Sequence, residues 1–428
     1  MRAPPDYLVR YGAWLLAAAA ALASCSGDDH AASPISSGTS GSGARSHAGD
    51  ANSPHGGAGA AGESPTGGSA QQIGGETGAA AKGGQGPVGG ESPVGGTPAE
   101  GGTPAAGGAP TQASSEPPSC RADKKPPICG PNVDSCCLSL PIPGQAFYRS
   151  YDAVSPMYSS QTSPAAVSQF RLDRFEVTIG RFRKFVAAAV DAWRPDAGSG
   201  KHAHLHDKQG LANVGPDGGY ESGWDAAWND QLPTDKAAWD AALTCDNVTP
   251  TWSPEPGDGE LLPVNCVTWY EAYAFCIWDD GFLPSEAEWN DVATGGDQQR
   301  AYPWSLVPTS LDIDCLHANY APGGEFCSAT NIGTVTLVGA ESPKGDSRWG
   351  HADMGGNVYE WALDWYADSY KTPCADCTYV DTTTLHAIRG GGFGNDAAAL
   401  LASARGSNQA TARSTSLGVR CARVPVFP

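Results

Sequence analysis

The first quarter of this chain is too poor in apolar residues to fold, which limits where a structured domain can lie. Residues 26–118 are dominated by Gly, Ala, Ser and Pro, and phrases such as Gly95-Gly96-Thr97-Pro98 recur without a fixed period. Such a stretch buries too little apolar surface to offset the entropy lost on ordering it, so we predict disorder. A flexible chain of about 90 residues spans on the order of 50 Å root-mean-square. We therefore interpret it as a spacer.

The N-terminal segment is typical of a bacterial secretory signal. It has a basic start and, at residues 12–23, an apolar stretch of about half the length that crosses a bilayer. Small residues precede Cys25, as they do where lipoprotein signals are cut before a cysteine that receives a lipid. We predict a signal peptide at 1–24 and a lipid anchor on Cys25, with Ser26 favouring the outer membrane. The alternatives are an ordinary signal peptide with a coincidental cysteine, or a weak membrane anchor.

Charge and cysteine content narrow the class of protein. The formal net charge is −20, whereas nucleic-acid phosphates need Lys and Arg, so no nucleic-acid partner is expected. Of the 13 cysteines, lipidation of Cys25 would leave 12. An even number in an oxidising compartment favours disulfides. The sequence therefore predicts an exported, envelope-anchored protein with a disulfide-braced head.

The folded part is predicted to consist of a cysteine-rich collar at 119–140 and one large domain at 141–428, after the lipid site and spacer at 25–118. Thr178 precedes an amphipathic stretch that predicts a helix over 179–190. Two further helices, one over 269–278 and one starting after Ser285, are predicted by capping boxes, in which Thr268 and Ser285 each stand three residues before a glutamate. The segments predicted as strands are 387–393 and 417–424.

Four motif-bearing segments occur in order along about residues 141–428, and together they carry a family resemblance. The segments are Phe-Arg-Leu-Asp-Arg-Phe-Glu-Val-Thr at 170–178 with the helix after it, Pro-Val, Val-Thr-Trp, Leu-Pro-Ser-Glu-Ala-Glu-Trp, Gly-Gly and Tyr-Pro-Trp within 262–304, Asp-Met-Gly-Gly-Asn-Val-Tyr-Glu-Trp at 353–361, and Arg-Gly-Gly at 389–391 with Gly-Val-Arg-Cys at 418–421. This pattern resembles the formylglycine-generating (sulfatase-modifying) enzyme family. The resemblance implies an α+β fold related to the C-type lectin fold, with few helices, short strands and many loops.

The same resemblance identifies what this chain lacks. In the family, an Arg-Gly-Gly-Ser run is followed by two cysteines that hold a copper ion and carry out the oxidation. The equivalent positions here are Asn395 and Leu400, the serine is replaced by Gly392, and the tryptophan of Asn-Val-Trp-Glu-Trp is replaced by Tyr359. Because Cu(I) prefers soft sulfur ligands, neither copper binding nor formylglycine-generating activity is expected.

The resemblance also implies a calcium site. Calcium is a hard cation that takes several oxygen ligands, and the motif would supply the side chains of Asp353 and Glu360 and the carbonyls of Gly356 and Val358. Asn319 would belong to a second calcium site. The alternative is that both acids cap turns and pair with an arginine.

The resemblance implies one disulfide, and the sequence makes two local disulfides plausible. Cys276 and Cys421 match cysteines that are bridged in the family, which implies a disulfide between them. Local disulfides are plausible for Cys315 with Cys327 and for Cys374 with Cys377. The latter spacing also fits a redox motif, but its loop and strand surroundings favour a structural disulfide.

Two functions from different classes remain open. The first is a non-catalytic, calcium-stabilised module that binds a peptide, a glycan or another envelope protein near Tyr359, Phe393, Asn395 and Arg405, where relatives hold their substrate peptide. A second possible surface is rich in tryptophan, although burial in the core is the commoner role of this residue. Its residues are Trp224, Trp228 and Trp239.

The second function is an oxidoreductase of the same superfamily with a different, non-haem iron type of metal centre. Only His202, His204 and His206 offer such a centre. If they lie on a strand, these alternate residues share one face and could bind a metal together. Their glycine-rich and charged neighbours, however, indicate a solvated loop. This function is the weaker hypothesis.

Overall fold

The computed structural model describes residues 116–121, 127–245, 249–327 and 334–426. The predicted signal peptide, the lipid site at Cys25 and the spacer lie outside these ranges. Within them, none of the helices has both the length and the apolar character needed to cross a bilayer.

The α-helices of the described residues are short and start at well-formed caps. The Thr178 side chain accepts a hydrogen bond from the backbone of the first turn, and Thr268 and Ser285 form capping boxes with Glu271 and Glu288. The three predicted helices are confirmed, whereas the helix capped by Asp235 and the short helix at Pro118–Arg121 were not predicted. The helices are α1 Pro118–Arg121, α2 Ile179–Val190, α3 Lys236–Leu243, α4 Trp269–Trp278 and α5 Glu286–Thr294.

The strands are mostly two to four residues long and form several small sheets. They are β1 Ile128–Cys129, β2 Asp134–Ser135, β3 Ser139–Ile142, β4 Gln145–Tyr148, β5 Pro164–Val167, β6 Phe170–Asp173, β7 Ala212–Asn213, β8 Tyr359–Trp365, β9 Cys377–Thr378, β10 His386–Arg389, β11 Gly406–Asn408, β12 Leu417–Gly418 and β13 Ala422–Arg423. The largest sheet has the order β11-β10-β8-β12, with β12 parallel to β8 and the other pairs antiparallel. A second sheet has the order β13-β6-β3, and the remaining sheets are two-stranded: β1-β2, β4-β5 and the parallel pair β7-β9.

Both predicted strands are shorter in the structure than expected. β10 ends at Arg389 because the two glycines that follow have φ angles of +95° and +72°, which end the extended conformation. The segment 417–424 is divided between two sheets. Between its halves, Arg420 is buried against Glu360 and Cys421 forms a disulfide, so this stretch crosses the core instead of continuing one strand.

An aromatic core holds α2, α3 and α4 together. The rings of Phe182 and Phe275 stack with centroids 5.4 Å apart, and Trp239 meets Phe182 edge-on at 6.1 Å. Trp239 and Trp224 are fully buried, so the expectation that they form a binding surface is wrong, and only Trp228 of that set is partly exposed. These rings supply apolar burial that a chain with so little regular structure otherwise lacks.

All twelve cysteines in the described ranges are paired, in six disulfides. The bridge between Cys276 and Cys421, implied by the family resemblance, links α4 to the residue before β13 across 145 positions. Both plausible local pairs are bridged as well. The other five bridges are Cys120–Cys137, Cys129–Cys136, Cys245–Cys266, Cys315–Cys327 and Cys374–Cys377.

Candidate functional site

Two residues from the predicted site meet at a small cavity. Its volume is about 260 Å³, and Tyr359, the first residue of β8, and Arg405 lie in its wall. The backbone of a 3₁₀ turn, Ala397–Leu400, forms one side, and the Asp396 side chain caps that turn by accepting a hydrogen bond from Ala398 at 3.1 Å. The complete lining is Tyr158, Tyr359, Ala398, Ala399, Ala404 and Arg405.

The two positions that match the family's copper cysteines have structural roles here. The Asn395 side-chain oxygen accepts a hydrogen bond from the Gly392 amide at 3.0 Å, and the Asn395 amide donates to the Gly392 carbonyl at 2.9 Å, which closes a tight turn. Leu400 is fully buried in an apolar cluster with Trp304 and Tyr320. One position therefore shapes the loop and the other fills the core.

The charge of Arg405 is balanced before any ligand arrives. Its guanidinium donates to both carboxylate oxygens of Glu286 at 2.7 Å and lies over the ring of Tyr370, 4.2 Å from its centroid. Burial opposes the charge, but Glu286 outweighs burial and raises the pKa of Arg405 above its ordinary value. The cavity thus offers tyrosine rings, methyl groups and a neutralised cation, which suits an uncharged or aromatic side chain.

The structure separates some residues that the sequence grouped together. Phe393 is buried in a different cluster with Val335 and Val358, so it does not line the cavity. Tyr158, in contrast, was missed, because it lies about 200 residues before Tyr359 on a 3₁₀ turn that no motif marks. Only the tertiary fold brings these two tyrosines together.

The proposed calcium motif is tightly hydrogen-bonded in this structure. Glu360 accepts from Arg420 at 2.8 and 3.0 Å and from the Trp289 indole at 2.7 Å, while Asp353 accepts from the Gly339 amide at 2.6 Å. This arrangement corresponds to the alternative in which the acids cap a turn and pair with an arginine. Glu360 therefore has little remaining capacity to bind a cation. The calcium site stays a prediction.

Asp353, in contrast, lies among other carboxylates. Burial and the charge of Asp353 raise the pKa of Glu341 and of Glu176, and burial raises the pKa of Asp353 itself. Arg420 is the cation that opposes this negative charge at Glu176 and Asp353. A hard divalent cation at Asp353 is consistent with such an excess of buried negative charge, so the residues fit calcium in part.

Asn319, expected in a second calcium site, is also hydrogen-bonded. Its amide donates to the Thr334 carbonyl at 2.9 Å and to the Asn357 side chain at 3.2 Å. Residues 328–333 lie outside the described ranges. The second calcium site stays a prediction as well.

The three alternating histidines do not converge on a metal centre. His202 is fully buried between Glu221 and Glu288, each 3.0 Å from a ring nitrogen, and His206 contacts the Gly210 carbonyl at 2.8 Å. In the described part of the chain, no group of three or more His, Cys, Asp or Glu side chains is arranged to hold a metal ion. The expected solvated loop is wrong for His202, because two carboxylates hold its ring in the core. The histidines therefore give no support to the oxidoreductase hypothesis.

His202 is instead a structural cation. Burial opposes its charge, but the two carboxylates outweigh burial and raise its pKa to about 10. It is therefore protonated at neutral pH, and it connects the loop that carries Glu221 to helix α5, which carries Glu288. No sequence signal linked these three residues, which are up to 86 positions apart.

These features define a class of protein: a disulfide-braced domain of few helices, short strands and long loops, with a cavity where strand β8 begins. The chain belongs to the family of sulfatase-modifying factor enzyme 1-like domains, whose model matches residues 140–425. The predicted α+β, formylglycine-generating-enzyme-like fold class is confirmed.

Individual relatives cover the chain to different extents. A formylglycine-generating enzyme of Streptomyces coelicolor is 29% identical over 305 residues, which is 65% of this chain and 85% of that protein. The bovine inactive C-alpha-formylglycine-generating enzyme 2 is 29% identical over 195 residues, 45% of this chain and 58% of that protein. Among solved structures, PvdO from Pseudomonas aeruginosa is 18% identical, with a TM-score of 0.45 over 67% of this chain and 94% of that one.

Proposed function

We propose that this protein is a non-catalytic binding module built on a sulfatase-modifying-factor domain. The observation that carries the proposal is the pair Asn395 and Leu400, which stand where the copper cysteines of the family are expected. An amide that closes a turn and a buried aliphatic side chain cannot hold Cu(I), which needs soft ligands. All cysteines in the described ranges are bridged, so no thiol there could replace the missing pair.

A relative that bears the name inactive supports this proposal, because the scaffold then has a precedent without the oxidation. The ligand we favour is a peptide of an envelope protein, with a glycan as the alternative. The cavity at Tyr359 is small, is lined by rings and methyl groups, and has a balanced charge, which suits an inserted apolar or aromatic side chain.

We further propose that the module is exported and held at the outer membrane by a lipid on Cys25, with residues 26–118 as its spacer. Six disulfides support an oxidising compartment. Labelling cells with a radioactive fatty acid tests this proposal. We expect label on the wild type and none on Cys25→Ala, which should be released into the soluble fraction.

A turnover assay tests the absence of catalysis. The full chain and the Streptomyces coelicolor relative are incubated with a Cys-x-Pro-x-Arg peptide, with and without copper, and aldehyde formation is followed by mass spectrometry. We expect aldehyde from the relative alone. Aldehyde produced by this chain would overturn the proposal, and the relative shows that the assay works.

We also propose that calcium stabilises the domain, held by the Asp353 side chain and the carbonyls of Gly356 and Val358. Saturating calcium should raise the melting temperature of chelator-washed protein, on the order of 5 °C at a hundredfold excess over Kd. Asp353→Asn should remove that rise, because it removes the carboxylate that we assign as the side-chain ligand of the ion. Exposed Asp368→Asn is the matched control and should keep it. An equal rise in wild type and Asp353→Asn would contradict the assignment.

A further inference from the structure

A second and larger cavity lies near the far end of strand β8. Its volume is about 490 Å³, and it shares no lining residue with the cavity at Tyr359. One wall comes from α4, another from the end of β8, and the rim comes from the loops around residues 213–228 and 380–382. The aromatic lining residues are Tyr220, Trp228, Trp269, Tyr270, Tyr273 and Trp365.

The aromatic walls are fixed before a ligand binds. The Trp269 indole donates to the Ala362 carbonyl at 3.0 Å, and the His386 ring lies between Trp269 and Trp365 with centroid distances of 4.0 and 3.9 Å. Trp228 meets Trp269 edge-on at 5.3 Å. A ligand therefore meets rings already held in place, so little side-chain entropy is lost on binding.

Every charged residue that lines this cavity is acidic. Asp217 and Asp225 are exposed at the rim, Asp381 is half-buried, and Glu221 is buried at the base. Asp381 is held in place by accepting from the Asn213 side chain at 2.6 Å and from the Asp217 amide at 3.2 Å. No Lys, Arg or His is among the lining residues, all of which are described.

We propose that this cavity binds an organic cation: an ammonium or guanidinium group on an apolar body. Cations are attracted to the faces of tryptophan and tyrosine rings, and the rim carboxylates add a field of the right sign. The volume lies within the range of about 300–1,000 Å³ that is usual for small-molecule sites. The site is independent of the peptide cavity proposed above.

Calorimetric titration of the full chain tests the proposal. The probes are choline, its uncharged analogue 3,3-dimethylbutanol, arginine amide and a neutral chitin trisaccharide. We expect a cation to bind at least about fivefold more tightly than the uncharged analogue, and more weakly as salt is added. If choline binds more tightly, the natural ligand carries a quaternary ammonium group. If arginine amide binds more tightly, it carries a guanidinium group. Equal binding of the uncharged analogue, binding of the sugar alone, or no binding would overturn the proposal.

Matched variants locate the binding. Asp217→Asn and Asp381→Asn should each weaken cation binding by about two- to fivefold, because each removes one rim charge. Asp258→Asn, an exposed acid that does not line the cavity, should leave binding unchanged. Since Asp217 is exposed, its variant should keep the wild-type melting temperature and so tests the rim charge even if Asp381→Asn folds poorly. Unchanged affinity in the well-folded Asp217→Asn and Tyr270→Leu would overturn the assignment to this cavity.

Discussion

At the scale of single residues, the interior of this domain contains many paired charges. Glu360 is buried against Arg420, and Glu286 balances both Arg389 and Arg405. An ion buried without its partner is strongly unfavourable, so the members of each pair depend on each other. The arginine of the Gly-Val-Arg-Cys motif therefore has a role that its sequence pattern does not reveal: it neutralises Glu360 below the sheet.

His202 gives a prediction at this scale. His202→Gln should lower the free energy of unfolding by about 3–5 kcal/mol, because Glu221 and Glu288 would face each other without a cation. The wild type should gain the full benefit of the charge below pH about 6.5, the pKa of histidine in an unfolded chain. It should lose that benefit as the pH rises towards about 10, the folded-state value.

Urea denaturation of wild type and His202→Gln between pH 6 and pH 9 measures this difference. The difference in the free energy of unfolding between the two proteins should decrease as the pH rises. His206→Gln serves as a control, because His206 is exposed and contacts a backbone carbonyl and the Tyr220 ring but no carboxylate. Parallel pH profiles for wild type and His202→Gln would show that the ring carries no charge in the folded state.

At the scale of elements, the first turn of helix α5 carries both the residues that cap it and the residue that pairs with Arg405 in the cavity wall. The Ser285 hydroxyl accepts a hydrogen bond from the Glu288 amide at 3.1 Å, and the Glu288 carboxylate accepts one from the Ser285 amide at 2.8 Å. The first turn also carries Glu286, which balances Arg405. The position of the arginine at the cavity therefore depends on a cap on the neighbouring helix.

Ser285→Ala should destabilise the protein by about 1 kcal/mol, the usual cost of losing an N-cap side chain. Threonine also caps helices, so Ser285→Thr should stay close to wild type. Chemical denaturation of the three proteins provides the measurement. A loss in Ser285→Thr equal to that in Ser285→Ala would show that side-chain size, and not capping, sets the stability at this site.

Three of the helices could be predicted from sequence because their signals are local, whereas most of the strands could not. Capping boxes fixed the starts of α4 and α5, since the residues concerned lie three positions apart. β7 has two residues and exists because it pairs with β9, some 165 positions away. Two residues show no periodicity, so such a strand has no signature before the fold forms.

The residues of the candidate site also differ in whether the sequence could predict them. A motif of fixed spacing identified Tyr359, Asn395 and Leu400, because the family pattern runs without a gap. Tyr158 and the residue that neutralises Arg405, Glu286, depend on contacts across the fold, the latter over 119 positions. Sequence reasoning therefore identified the positions where the family's cysteines are replaced, but not the residues that surround the cavity.

At the scale of the whole molecule, disulfides compensate for sparse regular structure. In the chain-entropy model, the 145-residue separation of Cys276 and Cys421 gives a stabilisation of about 5 kcal/mol, against about 2 kcal/mol for the three-residue separation of Cys374 and Cys377. The double variant Cys276→Ala/Cys421→Ala should therefore denature at much lower urea concentration than Cys374→Ala/Cys377→Ala. Equal urea midpoints would mean that loop length does not set the contribution of these bridges.

Strand β8 also sets the distance between the two cavities. It begins at Tyr359, in the wall of the smaller cavity, and ends at Trp365, in the wall of the larger one. Six residue steps of fully extended backbone would correspond to about 20 Å, and an irregularity in the pairing with β10 shortens that distance. If both cavities bind ligand, one extended molecule of matching length could occupy the two together. Its avidity would then exceed the affinity of either half, and a shorter molecule would gain nothing.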